Sequence, residues 1–113
     1  MREIKFRVWD TWEKIMLYGI NVLGTDYSRY MQYTGLKDSK GNEIYEGDIY
    51  SYPVEFYYDN QLIKKNTKVI VRYEDGAFLV GYKLLGDALR VDVEGEIIGN
   101  FFENPELLGV EKD

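Results

Sequence analysis

Asp92, Glu94 and Glu96 stand at alternate positions, and their spacing raises the first question of chemistry. On an extended strand they share one face at intervals of about 7 Å, close enough to hold a divalent cation or to divide acid and base roles. Hydrolases that use paired carboxylates set them on facing elements around a cleft. Neighbours on one exposed strand read instead as a solvated face set against cations on an adjacent strand, such as Arg72 or Lys83. Glu43, Glu46 and Asp48 take the same reading. The 113 residues include no cysteine and no histidine, so thiolates, imidazole bases and the usual zinc ligands are all missing. The expectation is no catalytic residue, no metal site and no cofactor. A carboxylate-dependent enzyme is the last of the readings weighed.

A second pattern lies in MQYTGLKDSKGNEIYEGDI, residues 31–49, where Gly35, Gly41 and Gly47 recur every six residues. A phosphate-binding loop needs Gly-Lys-Ser/Thr running into a helix, so that backbone amides meet the anion. Here Lys40 precedes Gly41, no helical pattern follows, and Glu43, Glu46 and Asp48 would repel a phosphate. The glycines therefore read as turn positions that route the chain, with Gly47-Asp48 launching a strand.

Two groups suit binding. Lys64, Lys65 and Lys68 follow Phe56, Tyr57 and Tyr58, and ammonium groups beside rings are what single-stranded nucleic acids dock on. Lysines also guard exposed strand edges. The formal charge of −6 argues against a polyanion partner. Residues 1–73 carry eleven cations against ten acids, and 74–113 carry three against ten. Nucleic-acid contact is thus the alternative reading. The leading one rests on residues 50–58, where Tyr50, Tyr52, Phe56, Tyr57 and Tyr58 accompany one charge, Glu55. Barrels of SH3 type hold peptides on such rings, and tyrosines are enriched at interfaces. These five form a candidate protein interface for an unknown protein partner or a second copy. Pro53 favours side-chain packing there over a shared ladder.

The elements that must position these groups are strands. EIKFRVW (3–9) alternates, placing Ile4, Phe6 and Val8 inward and Arg7 outward. KIMLY (14–18) returns as a second strand, Met31–Tyr33 is a short third, and Thr34–Asn42 is a loop by composition. IYSY and VEFYY flank Pro53, Asp59-Asn60 is a turn, and VIVRY-EDG-AFLVGY reads as a hairpin. Leu84–Leu89 fits either a helical turn or a hairpin, and Arg90–Ile98 alternates as a strand. Asn104-Pro105 opens a terminal helical turn. The expected core is Ile4, Phe6, Val8, Val69, Val71, Phe78, Val80, Val91, Val93 and Ile97. The chain reads as one all-β domain over 1–113, a small antiparallel barrel with short helical turns.

REIKFRVWD (2–10), MQYTGLKDSKGNEIYEGDI (31–49) and IIGNFFENPELL (97–108) together resemble the YopX family of phage and prophage proteins. The resemblance implies an SH3-like barrel character and carries no activity or catalytic residue. The resulting expectation is a non-enzymatic accessory protein that binds a protein partner or itself. Without a membrane-spanning apolar run or a signal-peptide core, its expected place is the host cytoplasm.

Overall fold

Alternating apolar residues broken by Asp-Asn and Asp-Gly pairs dictate antiparallel hairpins. The computed structural model, which describes residues 3–19, 30–81, 83–91 (Val91 by backbone alone) and 95–109, is built from them. Strands β1 (Phe6–Asp10), β2 (Ile15–Tyr18), β3 (Tyr30–Lys37) and β4 (Glu43–Tyr45) form one sheet in the order β2-β1-β3-β4. Strands β5 (Asp48–Tyr58), β6 (Gln61–Glu74), β7 (Ala77–Val80), β8 (Lys83–Leu84) and β9 (Glu96–Asn100) form the other, in the order β8-β7-β6-β5-β9. A helix, α1 (Leu85–Val91), and a 3₁₀ turn (Pro105–Leu108) are the helical elements among the described residues. The architecture is all-β, two antiparallel sheets curled as a half-barrel.

Turn chemistry explains the hairpins. Asp59-Asn60 (φ 50° and 63°) and Asp75-Gly76 (φ 52° and 83°) are left-handed at both central positions, which matches the strand twist. The expected loop over 34–42 shortens to 38–42, because β3 runs on to Lys37. Gly35, at φ 86°, sits where the β3–β4 register shifts, so it bends the strand rather than ending it. Pro53 stays within β5, beyond the last β9 pairing at Ser51, where its outer side is a strand edge.

Ile44, Tyr50, Val71, Val80, Leu85 and Ala88 are the buried centre, with Tyr52, Val69, Phe78, Leu89 and Ile97 packed around it. Of the expected core, Val8, Val71 and Val80 are buried, and Val69, Phe78 and Ile97 are half-buried. Ile4 and Phe6 are corrections, being 72% and 40% exposed. They stand before and at the start of β1, where cover has not begun, and the Phe6 ring meets Tyr30 edge-on. Burial falls instead on Arg7 and Val8, one on each face of a strand flanked by β2 and β3. Val93 and the Val91 side chain lie outside the described residues.

The strand expected over 90–98 is also corrected at its start, and residues 92–94 lie outside the described residues. Arg90 and Val91 close α1, and β9 begins only at Glu96. Leu85, Ala88 and Leu89 recur at helical spacing and pack on the core, so tertiary burial selects the helix. Asn104 precedes the 3₁₀ turn, but its side chain accepts from the Asn100 amide (3.2 Å) and makes no cap bond.

Gly95 supplies the sharpest packing test. A Cβ there would lie 1.8 Å from the Tyr50 hydroxyl, whose ring is fully buried. Gly95→Ala should cost about 3 kcal/mol through overpacking. Gly86→Ala, in the helix with open space around it, should be neutral or stabilising by about 0.5–1 kcal/mol. Urea denaturation of the two variants checks both signs.

Candidate functional site

A buried charge must be paired, and this chain buries several polar side chains far from one another in sequence. Arg7, Thr34, Asp38, Asp48, Ser51 and Asn100 are all under a tenth exposed, and all but Ser51 lie in the stretches at 2–10, 31–49 and 97–108. From β1 in the first sheet, Arg7 donates through Nη2 to Asp48 Oδ1 at the head of β5 in the second (2.8 Å). The same nitrogen donates to the Glu46 carbonyl (3.2 Å), and the guanidinium lies 4.7 Å from the Tyr45 ring centre. The other Asp48 oxygen accepts from the Tyr45 amide (2.7 Å).

Asp38 makes the second tie. Its carboxylate accepts from the amides of Lys40 (3.0 Å) and Asn42 (2.8 Å), shaping the 38–42 loop. It also accepts from the Ile97 amide on β9 (2.8 Å), while Ser39 N donates to the Gly95 carbonyl (3.3 Å). Gly47 makes the third tie, donating to the Val71 carbonyl (2.8 Å) and accepting from Phe101 N (2.9 Å). Its φ of 89° is left-handed, and a Cβ there would stand 3.0 Å from the Met31 sulfur, so conformation and close approach both favour glycine. Of the three glycines spaced every six residues, Gly47 is the one at the joint between the sheets, while Gly35 bends β3 and Gly41 closes the 38–42 loop.

Burial opposes ionisation of Asp38, but the Ile97, Asn42 and Lys40 amides and the Asn42 side chain outweigh it, holding the carboxyl below its ordinary value. At Asp48 burial prevails and pushes the carboxyl up, with Arg7 and the Tyr45 amide offsetting part of the rise. Around this joint lies a concavity of about 530 Å³ whose walls include Arg7, Tyr18, Asn42, Glu43, Tyr45 and Asn100. Its charged groups are engaged: Glu43 meets Lys5, outside the lining, at 2.5 Å, and Asp48 meets Arg7 within it.

The acidic groups singled out by spacing disperse. Glu96 pairs with Lys40 (3.0 Å) rather than with Arg72 or Lys83, while Asp92 and Glu94 lie outside the described residues. Arg72 binds Glu74 and the Gly81 carbonyl, and Lys83 lies over the Tyr52 ring. Glu46 accepts from Gln32 N (3.3 Å). Among the described residues, no three acidic side chains cluster to hold a metal ion.

The candidate interface divides. Tyr50 is a correction: it is fully buried, a core residue with its ring tilted against Tyr52, because β9 and β6 flank it on either side. Tyr52 is half-buried, whereas Phe56, Tyr57 and Tyr58 are 43%, 76% and 72% exposed. Beyond Ser51 and before Val71, β5 and β6 pair only with each other among the described residues. They form a two-stranded ribbon on a molecule whose longest extent is 57 Å. Lys64, Lys65 and Lys68 lie on the same ribbon, exposed, with Lys64 3.8 Å from Glu55 and Lys65 over the Phe56 ring at 5.8 Å. Aromatic and basic candidates thus share one ribbon, with Tyr57, Lys64 and Lys68 on one face and Phe56, Tyr58 and Lys65 on the other. Sequence reasoning overlooked Leu62, exposed opposite Tyr57, and the buried roles of Arg7 and Asp38.

An all-β scaffold of two sheets, jointed by buried polar ties and bearing a free ribbon, defines the class structurally. The protein EF1440 from Enterococcus faecalis, known from its crystal structure, is similar over 96% of this chain and 99% of its own, at 28% identity and a TM-score of 0.67. Residues 19–109 match the model of the YopX protein family, and the chain belongs to that family. The 2–10 stretch precedes the matched region. No curated protein matches the chain.

Two measurements test the joint. Arg7→Met should cost about 3–5 kcal/mol by stranding Asp48, and adding Asp48→Leu should recover part of that loss. Because Asp38 titrates below its unfolded value near 3.9, its contribution is complete above that pH and is lost as pH falls through the folded value. The stability gap between wild type and Asp38→Asn should therefore be constant at neutral pH and narrow below about pH 4, as read from denaturation series. A gap that widens in acid would reverse the sign assigned here.

Proposed function

We propose that this chain is a non-enzymatic accessory protein of a phage or prophage, working in the host cytoplasm by holding a protein partner on the β5–β6 ribbon. The observation that carries the reading is the ribbon itself. A two-stranded hairpin is marginal alone in water, and this one keeps Phe56, Tyr57, Tyr58 and Leu62 exposed with no third strand or covering element among the described residues. Exposed aromatics of this density are the anchors that interfaces use. Membership of the YopX family supports the phage setting through the resemblance described above. Among the described residues no helix is long and apolar enough to cross a membrane.

Nucleic-acid contact is favoured by one observation, the Lys65–Phe56 stack, and opposed by the net charge of −6. Affinity capture from infected or induced cells separates the readings. Tyr57→Ser with Phe56→Ser should lose a protein that the wild type retains, with the circular dichroism spectrum unchanged. Retention of the same proteins by both chains would overturn the ribbon as the docking element.

A further inference from the structure

The register of β5 with β6 decides which side chains share a ribbon face. Tyr57 faces Leu62, Glu55 faces Lys64, Ser51 faces Lys68 and Ile49 faces Ile70, all on one side. That side is apolar at the tip, where Tyr57 and Leu62 are 76% and 46% exposed. It carries both charge signs midway. At the base it meets a groove of about 360 Å³ lined by Tyr30, Met31, Gly47, Ile70, Phe101 and Phe102. Glu46 and Arg72 also line this groove, offering polar partners for a phenol hydroxyl. The tip and the groove lie eight residues apart along β6, about 27 Å.

A surface with an aromatic tip at one end and an aromatic-lined groove at the other is complementary to itself turned end for end. We propose that the occupant of the ribbon is a second copy of this chain, the two ribbons lying antiparallel about a two-fold axis with each Tyr57 in the other's groove. This rests on the ribbon being the docking element. A two-fold contact pairs residue i with j and j with i. Setting the Tyr57–Leu62 level over the partner subunit's Ile70 brings the facing pair Glu55 and Lys64 to the level of Lys68 of the partner subunit, twice over, so that each Glu55 is shared between two lysines. Lys68 makes no ion pair within the chain among the described residues, so the contact supplies its counter-charge. Pro53 and the lysines blunt the ribbon edges, which leaves its faces for association.

Sedimentation equilibrium of the full chain at micromolar concentration tests the arrangement. Wild type should be a dimer, and Tyr57→Ser should weaken it at least about tenfold while the fold is retained. Glu55→Lys and Lys68→Glu should each weaken self-association, and an equimolar mixture should restore it, because the mixed dimer regains both ion pairs. A monomer at every concentration, or a dimer indifferent to all three substitutions, overturns the proposal. If a monomeric wild type still captures another protein through Tyr57, the second copy fails and the ribbon reading stands. If capture too is indifferent to Tyr57, both fall. A monomer that binds a DNA oligonucleotide through Lys68 would overturn the proposal in favour of nucleic acid.

Discussion

The buried pair of Arg7 and Asp48 is the constraint around which the two sheets are arranged. Two ions removed from water cost several kcal/mol each, and only close geometry with further hydrogen bonds recovers that cost. Here the recovery comes from the Tyr45 amide at the end of β4 and the Glu46 carbonyl in the turn that carries the chain from the first sheet into the second. Arg7 Nε has no partner among the described residues, so compensation is incomplete. An incompletely compensated pair adds less to stability than to specificity, because alternative packings of the sheets would strand both charges.

Asp38 and Gly47 extend the same logic. One carboxylate takes three backbone amides and one side-chain amide, folding a loop and tying it to β9. Gly47 lets β5 start close enough to β6 and to Phe101 for both of its backbone groups to bond across. Polar groups thus do at the joint what apolar packing does around Tyr50. The three separated stretches that resemble the YopX family meet in space here, and they hold nearly all the buried polar groups among the described residues.

The ribbon follows from a different balance. β5 and β6 span eleven and fourteen residues, while their outer neighbours β9 and β7 pair with only their near ends. A joint of fixed geometry at one end and a tight Asp-Asn turn at the other let the hairpin extend past the core. Its backbone bonds are internal, while the side chains at its tip, Tyr57, Tyr58 and Leu62, stay exposed.

Strand character, turn positions and the absence of imidazole and thiol chemistry were determined by the sequence itself, since alternation and Asp-Gly or Asp-Asn pairs act over a few residues. Even the core status of Val71 and Val80 was legible from that period. The inward turn of Arg7 was not, because its warrant is Asp48, 41 residues away, and a charged residue at an alternating position reads as exposed until its partner is placed. Likewise Tyr50 and Tyr57 are chemically the same residue, and the extent of β9 makes one a core ring and leaves the other exposed. The helix at Leu85–Val91 was decided by packing of Leu85 and Ala88 against β-sheet neighbours. Local pattern states what an element can be, and burial, a property of the assembled chain, selects among the options.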